Sequence, residues 1–124
     1  MTILNRLRSA ESGSRELDVA IRTYEVGATA EWQDYKQDYA FHRDGSWVSI
    51  EPIEPASTSI DAALALVDKM LPDALWTIGH RGDETPNLFM CVIMPSSGAP
   101  FHETHQTPAL AILTALFTAL EAKG

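Results

Sequence analysis

Apolar residues recur at helical spacing in three stretches of the chain. Residues three or four positions apart lie on one face of an α-helix. The spacing predicts helices over residues 15–25, 59–71 and 108–122, and Leu4 with Leu7 indicates a short opening helix. The apolar positions that define the three stripes are Leu17, Ala20, Ile21 and Tyr24; Ile60, Ala63, Leu64, Val67, Met70 and Leu71; and Leu110, Leu113, Leu116, Phe117 and Leu120.

Capping residues support the predicted helix ends. Ser14 precedes the 15–25 helix as a plausible N-cap, and Gly27 is a natural stop after it. Thr58 with Asp61 makes a capping-box-like pair before the 59–71 helix. Thr107 followed by proline at the first helical position is a strong start for the last helix.

Between the helices, four segments favour strands: 39–42, 47–50, 75–80 and 88–94. Asp44-Gly45 is a hairpin turn signal between the first two. The 88–94 segment is almost wholly apolar, as in a central strand covered on both faces. The pattern predicts one α+β domain over residues 1–124, with an antiparallel sheet of about four strands and a loop at 95–106.

Three helix-start motifs resemble a known family. They are Arg-Glu-Leu-Asp-Val-Ala-Ile at 15–21, Thr-Ser-Ile-Asp-Ala-Ala-Leu-Ala-Leu-Val at 58–67 and Thr-Pro-Ala-Leu-Ala-Ile-Leu at 107–113. In this order they look like the phage ABA sandwich domain of small phage and prophage proteins, over roughly residues 3 to 122. The resemblance implies helices on both sheet faces, an α/β/α sandwich, and a phage accessory protein. That family has no known activity, and the 28–57 segment departs from its pattern.

The charge balance bears on the partners. With 17 acidic and 9 basic residues the net charge is −8, which opposes a phosphate backbone, so we expect no direct contact with nucleic acid. No run approaches the ~20 apolar residues of a membrane span. The start of the chain also lacks a signal peptide, which predicts the cytoplasm, here that of a phage host. The single cysteine, Cys91, excludes an internal disulfide and lies in an apolar run, which favours an inert buried thiol.

Aromatic residues are interleaved with acidic ones between residues 28 and 57. This mixture indicates either half-buried core contacts or a protein-binding patch whose partner is basic. The two interpretations stay open at this stage. The candidate partner-binding residues are Trp32, Asp34, Tyr35, Asp38 and Trp47.

The segment from Phe101 to Thr107 is the most chemically suggestive stretch. His102, Glu103 and His105 offer two imidazoles and a carboxylate, the groups used by metal sites and by some hydrolases. The histidines are adjacent in one loop rather than on facing strands, so we interpret them as a polar surface loop. We expect no metal site and no cofactor.

Three functional hypotheses follow from these patterns. The first is a non-enzymatic accessory protein that acts by protein contact. The second is an acidic, anti-CRISPR-like inhibitor of a host nucleic-acid-binding machine, which needs its carboxylates aligned on one face. The third is a small hydrolase, which needs His102, Glu103 and His105 to converge. An alanine face on the last helix (Ala111, Ala115 and Ala119) offers a contact for another helix or for a second copy in a homodimer.

Overall fold

A computed structural model describes residues 2–35, 37–49, 53–81, 88–96 and 98–123. The fold is α+β, with four helices and six strands among these residues. In chain order the elements are α1 (Ile3–Ser9), α2 (Arg15–Val26), β1 (Thr29–Gln33), β2 (Asp38–Arg43), β3 (Ser46–Ser49), α3 (Ile60–Met70), β4 (Leu75–Arg81), β5 (Leu88–Met94), β6 (Phe101–His105) and α4 (Pro108–Lys123). No helix in the described ranges has the length and apolar character needed to cross a membrane.

The strands form two separate three-stranded antiparallel sheets, β1-β2-β3 and β4-β5-β6. The prediction of a single sheet of about four strands is therefore wrong, although the α+β class is confirmed. Two strands were not predicted, β1 and β6, and each lies at a sheet edge. Edge strands are harder to recognise because they bury less and tolerate polar residues on both faces.

The first sheet is a meander closed by two tight turns. Asp44 and Gly45 both have positive φ (52° and 80°), which is the backbone of a type I′ hairpin and confirms the predicted turn. Phe41 is fully buried, whereas Trp32 and Trp47 remain about half exposed. Ile50, the last residue of the predicted 47–50 strand, lies outside the described residues.

The second sheet places alternate residues on opposite faces. Cys91 and Ile93 of β5 are buried in the main core, with Ile78 of β4 packed against it. The intervening residues Met90 and Met94 are exposed. The opposite face of this sheet is therefore uncovered by any described helix, so β5 is central in its sheet but not buried on both sides. The α/β/α arrangement implied by the resemblance is not found here.

Helix α4 is the centre of the molecule. Every residue from Ala109 to Phe117 is buried, because α4 contacts β5 and β6 as well as α1 and α3. The alanine face is among the buried positions, with Ala111 and Ala115 fully inaccessible. Its small side chains allow close helix packing within one chain, so this face is not open to a second copy.

The predicted N-cap hydrogen bonds are present at the starts of α2 and α4. Ser14 Oγ accepts a hydrogen bond from the Leu17 amide at 3.2 Å, and Thr107 Oγ1 accepts one from Leu110 at 3.1 Å. Gly27 ends α2 in the left-handed conformation. Before α3 the capping side chain is Ser59, which accepts from Ala62 at 3.1 Å, rather than Thr58.

Candidate functional site

The His102–His105 segment is a strand, not a loop. Residues Phe101–His105 form β6 and pair with β5 in the register Val92↔His102 and Cys91↔Glu103. Neighbouring residues of a strand point to opposite faces. His102 therefore lies on the exposed face of the sheet, away from Glu103 and His105, and the three side chains do not converge.

Helix α1 contacts both polar side chains on the inner face of β6, Glu103 and His105. His105 is buried, and its Nε2 atom lies 2.9 Å from the carbonyl oxygen of Leu7. Its Nδ1 atom accepts a hydrogen bond from the Gln106 amide at 2.8 Å, so Nε2 carries the proton and donates it to Leu7. Arg8 Nε lies 3.5 Å from Glu103 Oε1. These contacts give both residues a structural role in joining α1 to the sheet.

This arrangement of side chains does not support a metal site. Within the described ranges no three His, Cys, Asp or Glu side chains are grouped so as to hold an ion. By residue type, His80 and Asp83 are two further potential ligands. His80 makes an edge-to-face contact with Phe89, with ring centroids 5.2 Å apart, and Asp83 lies outside the described residues.

A buried carboxylate joins α2 to the turn before α3. Asp18 Oδ1 accepts hydrogen bonds from the Ser57 amide at 2.8 Å and from the Ser57 hydroxyl at 2.6 Å. Both residues are less than 5% exposed. The turn approaches so closely that a Cβ atom on Gly13 would lie 2.0 Å from the Ser57 carbonyl oxygen. The Ser57 hydroxyl is thus inaccessible to a substrate, and the pair is a structural crosslink.

Two surface depressions are candidate ligand sites. One, of about 390 Å³, lies beside the end of α4 and is lined mainly by apolar groups, with Asp73 the one titratable residue among its described lining. The other, of about 320 Å³, lies between α2 and α3. Three of its charged side chains are engaged with one another, since Glu25 forms ion pairs with Arg22 and Lys69. Neither presents a nucleophile beside a base, which hydrolysis would require.

The lone cysteine is buried in the core at the centre of β5. Burial raises the pKa of the Cys91 thiol from 9.0 to about 11, because removal from water penalises the thiolate. The thiol is therefore neutral at physiological pH and poorly suited to nucleophilic chemistry.

The tip of the β1–β2 hairpin carries a cluster that we call the aromatic patch: Trp32, Asp34, Tyr35 and Tyr39. Trp32 and Tyr39 are cross-strand partners whose rings meet edge to face, with centroids 5.2 Å apart. The Trp32 indole nitrogen donates a hydrogen bond to Asp34 Oδ1 at 2.7 Å. Trp32 is 47% exposed and Tyr35 is 83% exposed. The Trp32 ring is thus held by Asp34 and Tyr39, yet half of it is open to solvent.

The hairpin turn itself is held by backbone and side-chain bonds. The carbonyl oxygen of Asp34 accepts from the Gln37 amide at 3.3 Å and from its side-chain amide at 2.7 Å. Gln37 takes a positive φ of 53° to close the turn. This local structure presents Asp34 and Tyr35 at the end of the sheet.

Two of the predicted partner-binding residues lie elsewhere. Asp38 is bound by Arg15, whose Nη2 atom is 2.6 Å from Asp38 Oδ1, and so ties the sheet to α2. Trp47 pairs with His42, their rings 5.4 Å apart. Strand alternation puts His42 and Trp47 on the face opposite Trp32 and Tyr39. The five predicted residues therefore do not form one surface; Trp32, Asp34 and Tyr35 do.

Tyr39 was expected in the 39–42 strand and was not among the candidate partner-binding residues. The signal was its position opposite Trp32 in a two-stranded hairpin, which depends on a strand at 29–33 that was not predicted. In this segment Phe41 is fully buried, Trp32 and Trp47 are about half exposed, and Tyr35 is 83% exposed. No family model, curated protein or solved structure matches the chain.

Proposed function

We propose that this protein is a non-enzymatic accessory protein that binds another protein through the aromatic patch. The observation that carries the proposal is the exposure of Trp32 and Tyr35 beside a carboxylate, with the Trp32 ring already held by Asp34 and Tyr39. Tryptophan and tyrosine are enriched at the energetic centres of protein interfaces. Preorganised rings lose little conformational entropy on binding, which favours affinity.

The partner is expected to be basic at its contact surface. Exposed aromatic rings next to a carboxylate can receive an arginine or lysine through ring-face and charge contacts together. The net charge of −8 adds a long-range attraction to a positive surface and repels an acidic one. A basic patch on the partner, with at least one arginine, fits both features.

The phage or prophage origin rests on the order of the three helix-start motifs, which resembles the phage ABA sandwich family. In that setting the protein would act in the host cytoplasm. The motifs are caps and apolar stripes, so they bear on the fold and origin, while the binding proposal depends on the patch.

The nucleic-acid-mimic alternative is less well supported than aromatic-mediated binding. A mimic needs a row of available carboxylates, but Glu25 and Asp38 are held in ion pairs. Asp34 and Asp44 occupy the turns at opposite ends of β2. Glu51 lies outside the described residues. The hydrolase alternative needs convergence of His102 with Glu103 and His105, and β6 places His102 on the other face.

The test is affinity capture from the host cytoplasm with immobilised protein, followed by calorimetry with the purified candidate partner. Trp32→Ala should weaken binding by at least about tenfold, as expected for an interface centre. Trp47→Ala is the matched control, because Trp47 is similarly exposed but lies on the opposite sheet face. Equal effects of the two variants, or no effect of Trp32→Ala, would contradict the proposal.

A further inference from the structure

The larger of the two surface depressions lies where three parts of the chain meet, at one end of the second sheet. Its walls come from the turn between α3 and β4, from the connection between β5 and β6, and from the last two turns of α4. Its volume of about 390 Å³ lies in the lower part of the range for small-molecule sites, about 300–1,000 Å³. We call it the α4-end pocket, and its lining includes Asp73, Ala74, Gly98, Phe101, Ala119 and Ala122.

Small side chains keep the α4-end pocket open. Six of its eleven described lining residues are glycine, alanine or serine. Ala119 and Ala122 contribute no more than methyl groups from α4, and a Cβ atom placed on Gly98 would meet nothing within 4 Å. The space is therefore already formed in the folded chain before any ligand arrives.

The polar features of the α4-end pocket share one sign of charge. Asp73 is exposed and is the one titratable residue among the described lining. The pocket also adjoins the C-terminal end of α4. The last carbonyl groups of a helix have no donor within the helix, so this end carries a partial negative charge. Both features favour a positively charged ligand over a neutral or an anionic one.

Phe101 adds an aromatic wall to the same space. Its half-buried side chain packs against the main core and also lines the pocket. An aromatic ring attracts an ammonium group that lies within about 6 Å of its centre, and its surface also receives an apolar body. A carboxylate, a helix C-terminus and an aromatic ring thus adjoin one cavity, and each of the three attracts positive charge.

We infer that the α4-end pocket binds a small organic amine, with its ammonium group beside Asp73 and its apolar body against Phe101 and Ala119. The cavity is larger than a single lysine side chain of a partner protein would fill, so a free molecule with a bulky apolar body fits it better. The pocket belongs to the second sheet and α4. It does not include the aromatic patch, so this inference is independent of the proposed protein-binding function.

Tryptamine is the probe, and tryptophol is its neutral counterpart, with a hydroxyl group in place of the ammonium. Titration of the isotope-labelled full chain, followed by backbone amide chemical shifts, gives both the affinity and the location. Tryptamine should saturate with a Kd of about 0.1–1 mM, as expected for so small a ligand in an open site. The shifts should concentrate at Ala74, Gly98 and Ala122. Tryptophol should bind about tenfold more weakly, because it lacks the charge.

Two variants separate the charge from the shape of the pocket. Asp73→Asn should weaken tryptamine binding about two- to fivefold and leave tryptophol binding unchanged. Asp68→Asn is the matched control, because Asp68 is an exposed carboxylate on α3 outside the described lining, and it should leave both affinities unchanged. Ala122→Phe should fill the pocket and abolish binding of both compounds with little change in melting temperature, since Ala122 is exposed.

Four results would overturn the inference. The first is no saturation by tryptamine up to about 10 mM, well above the expected Kd. The second is equal affinity for tryptamine and tryptophol. The third is an equal loss of affinity in Asp73→Asn and Asp68→Asn, which would reduce the effect to net charge. The fourth is a set of shifts confined to Trp32 and Tyr35, which would place the amine on the aromatic patch.

Discussion

His105 Nε2 lies 2.9 Å from the carbonyl oxygen of Leu7, joining residues 98 positions apart in the chain. The contact satisfies a backbone acceptor at the end of α1 and fixes the imidazole tautomer through the second bond to Gln106. The most chemically suggestive histidine of the sequence is thus a buried structural link between the first helix and the last strand.

Replacing His105 should therefore cost stability. His105→Ala removes the closer of two donors to the Leu7 carbonyl, the other being the Ala10 amide at 3.4 Å, and opens a gap, so we expect a loss of about 1–3 kcal/mol in the free energy of unfolding. His102→Ala is the control, because His102 is exposed on the other sheet face, and it should change stability by less than about 0.5 kcal/mol. Urea unfolding followed by circular dichroism measures both. Similar effects for the two histidines would contradict the assignment.

The hydrogen-bonded pair Asp18 and Ser57 should show energetic coupling between its two members. Asp18 and Ser57 share two hydrogen bonds away from water, and either Asp18→Ala or Ser57→Ala leaves a buried polar partner unsatisfied. We expect each to cost about 1–3 kcal/mol and the double variant to cost clearly less than their sum. Glu16→Ala, an exposed acidic position on the same helix, should be nearly neutral. If the two losses in free energy of unfolding were strictly additive in a double-mutant cycle, the hydrogen-bonded pair would be contradicted.

Local signals in the sequence predicted the helix boundaries well, because a cap is a contact among neighbours. Thr107 and Pro108 mark the start of α4 whatever α4 packs against. The strand β6 was missed for the opposite reason. Its polar residues alternate without an apolar face, and what makes it a strand is pairing with β5 together with contacts from α1 to Glu103 and His105.

The same distinction, between contacts among sequence neighbours and contacts between distant elements, explains which site residues were predicted correctly. Aromatic and acidic composition pointed to Trp32, Asp34 and Tyr35 as a candidate patch, but composition does not reveal on which side of a sheet a residue lies. Trp47 was grouped with Trp32 because both lie in one acidic segment; the register of β2 with β3 puts it on the other face. The exposure of Met90 and Met94 was not predicted, because an almost wholly apolar β5 is typical of a strand covered on both sides.

Truncation inside α4 should be strongly destabilising. Leu116 is fully buried in the central helix, so Leu116→Ala should lower the free energy of unfolding by about 2–5 kcal/mol. For a domain of this size that corresponds to roughly 10 °C or more in melting temperature. Glu121→Ala, exposed on the same helix, is the control. A change of about a degree for Leu116→Ala would mean that the helix faces another way.

The Cys91 thiol should be protected and should link stability to alkaline pH. Its pKa of about 11 in the folded chain exceeds the value of 9.0 for an exposed thiol, so the folded state holds the proton more tightly. Its contribution to stability is complete below pH 9 and is lost as pH rises toward about 11. Relative to Cys91→Ala, the free energy of unfolding of the native chain should therefore fall across this interval.

Thiol reactivity provides a simpler check on the same residue. Ellman's reagent at about pH 8 should react with native Cys91 roughly a hundredfold or more slowly than with the chain unfolded in guanidinium. Rapid reaction in the native state would show that the thiol is accessible.

The last prediction is that the protein does not bind DNA or RNA. The net charge of −8 opposes the phosphate backbone, and electrostatic attraction to phosphates supplies nearly all non-specific binding. Four of the nine cationic residues are also engaged, because Arg8, Arg15, Arg22 and Lys69 each form an ion pair with a carboxylate. Fluorescence anisotropy with labelled single- and double-stranded oligonucleotides at low salt is the sharpest measurement, because low salt magnifies any attraction. We expect no saturable binding up to about 100 µM protein, where even weak non-specific binders are detected. Micromolar binding lost in Trp32→Ala and kept in Trp47→Ala would contradict this expectation and reassign the aromatic patch to base stacking.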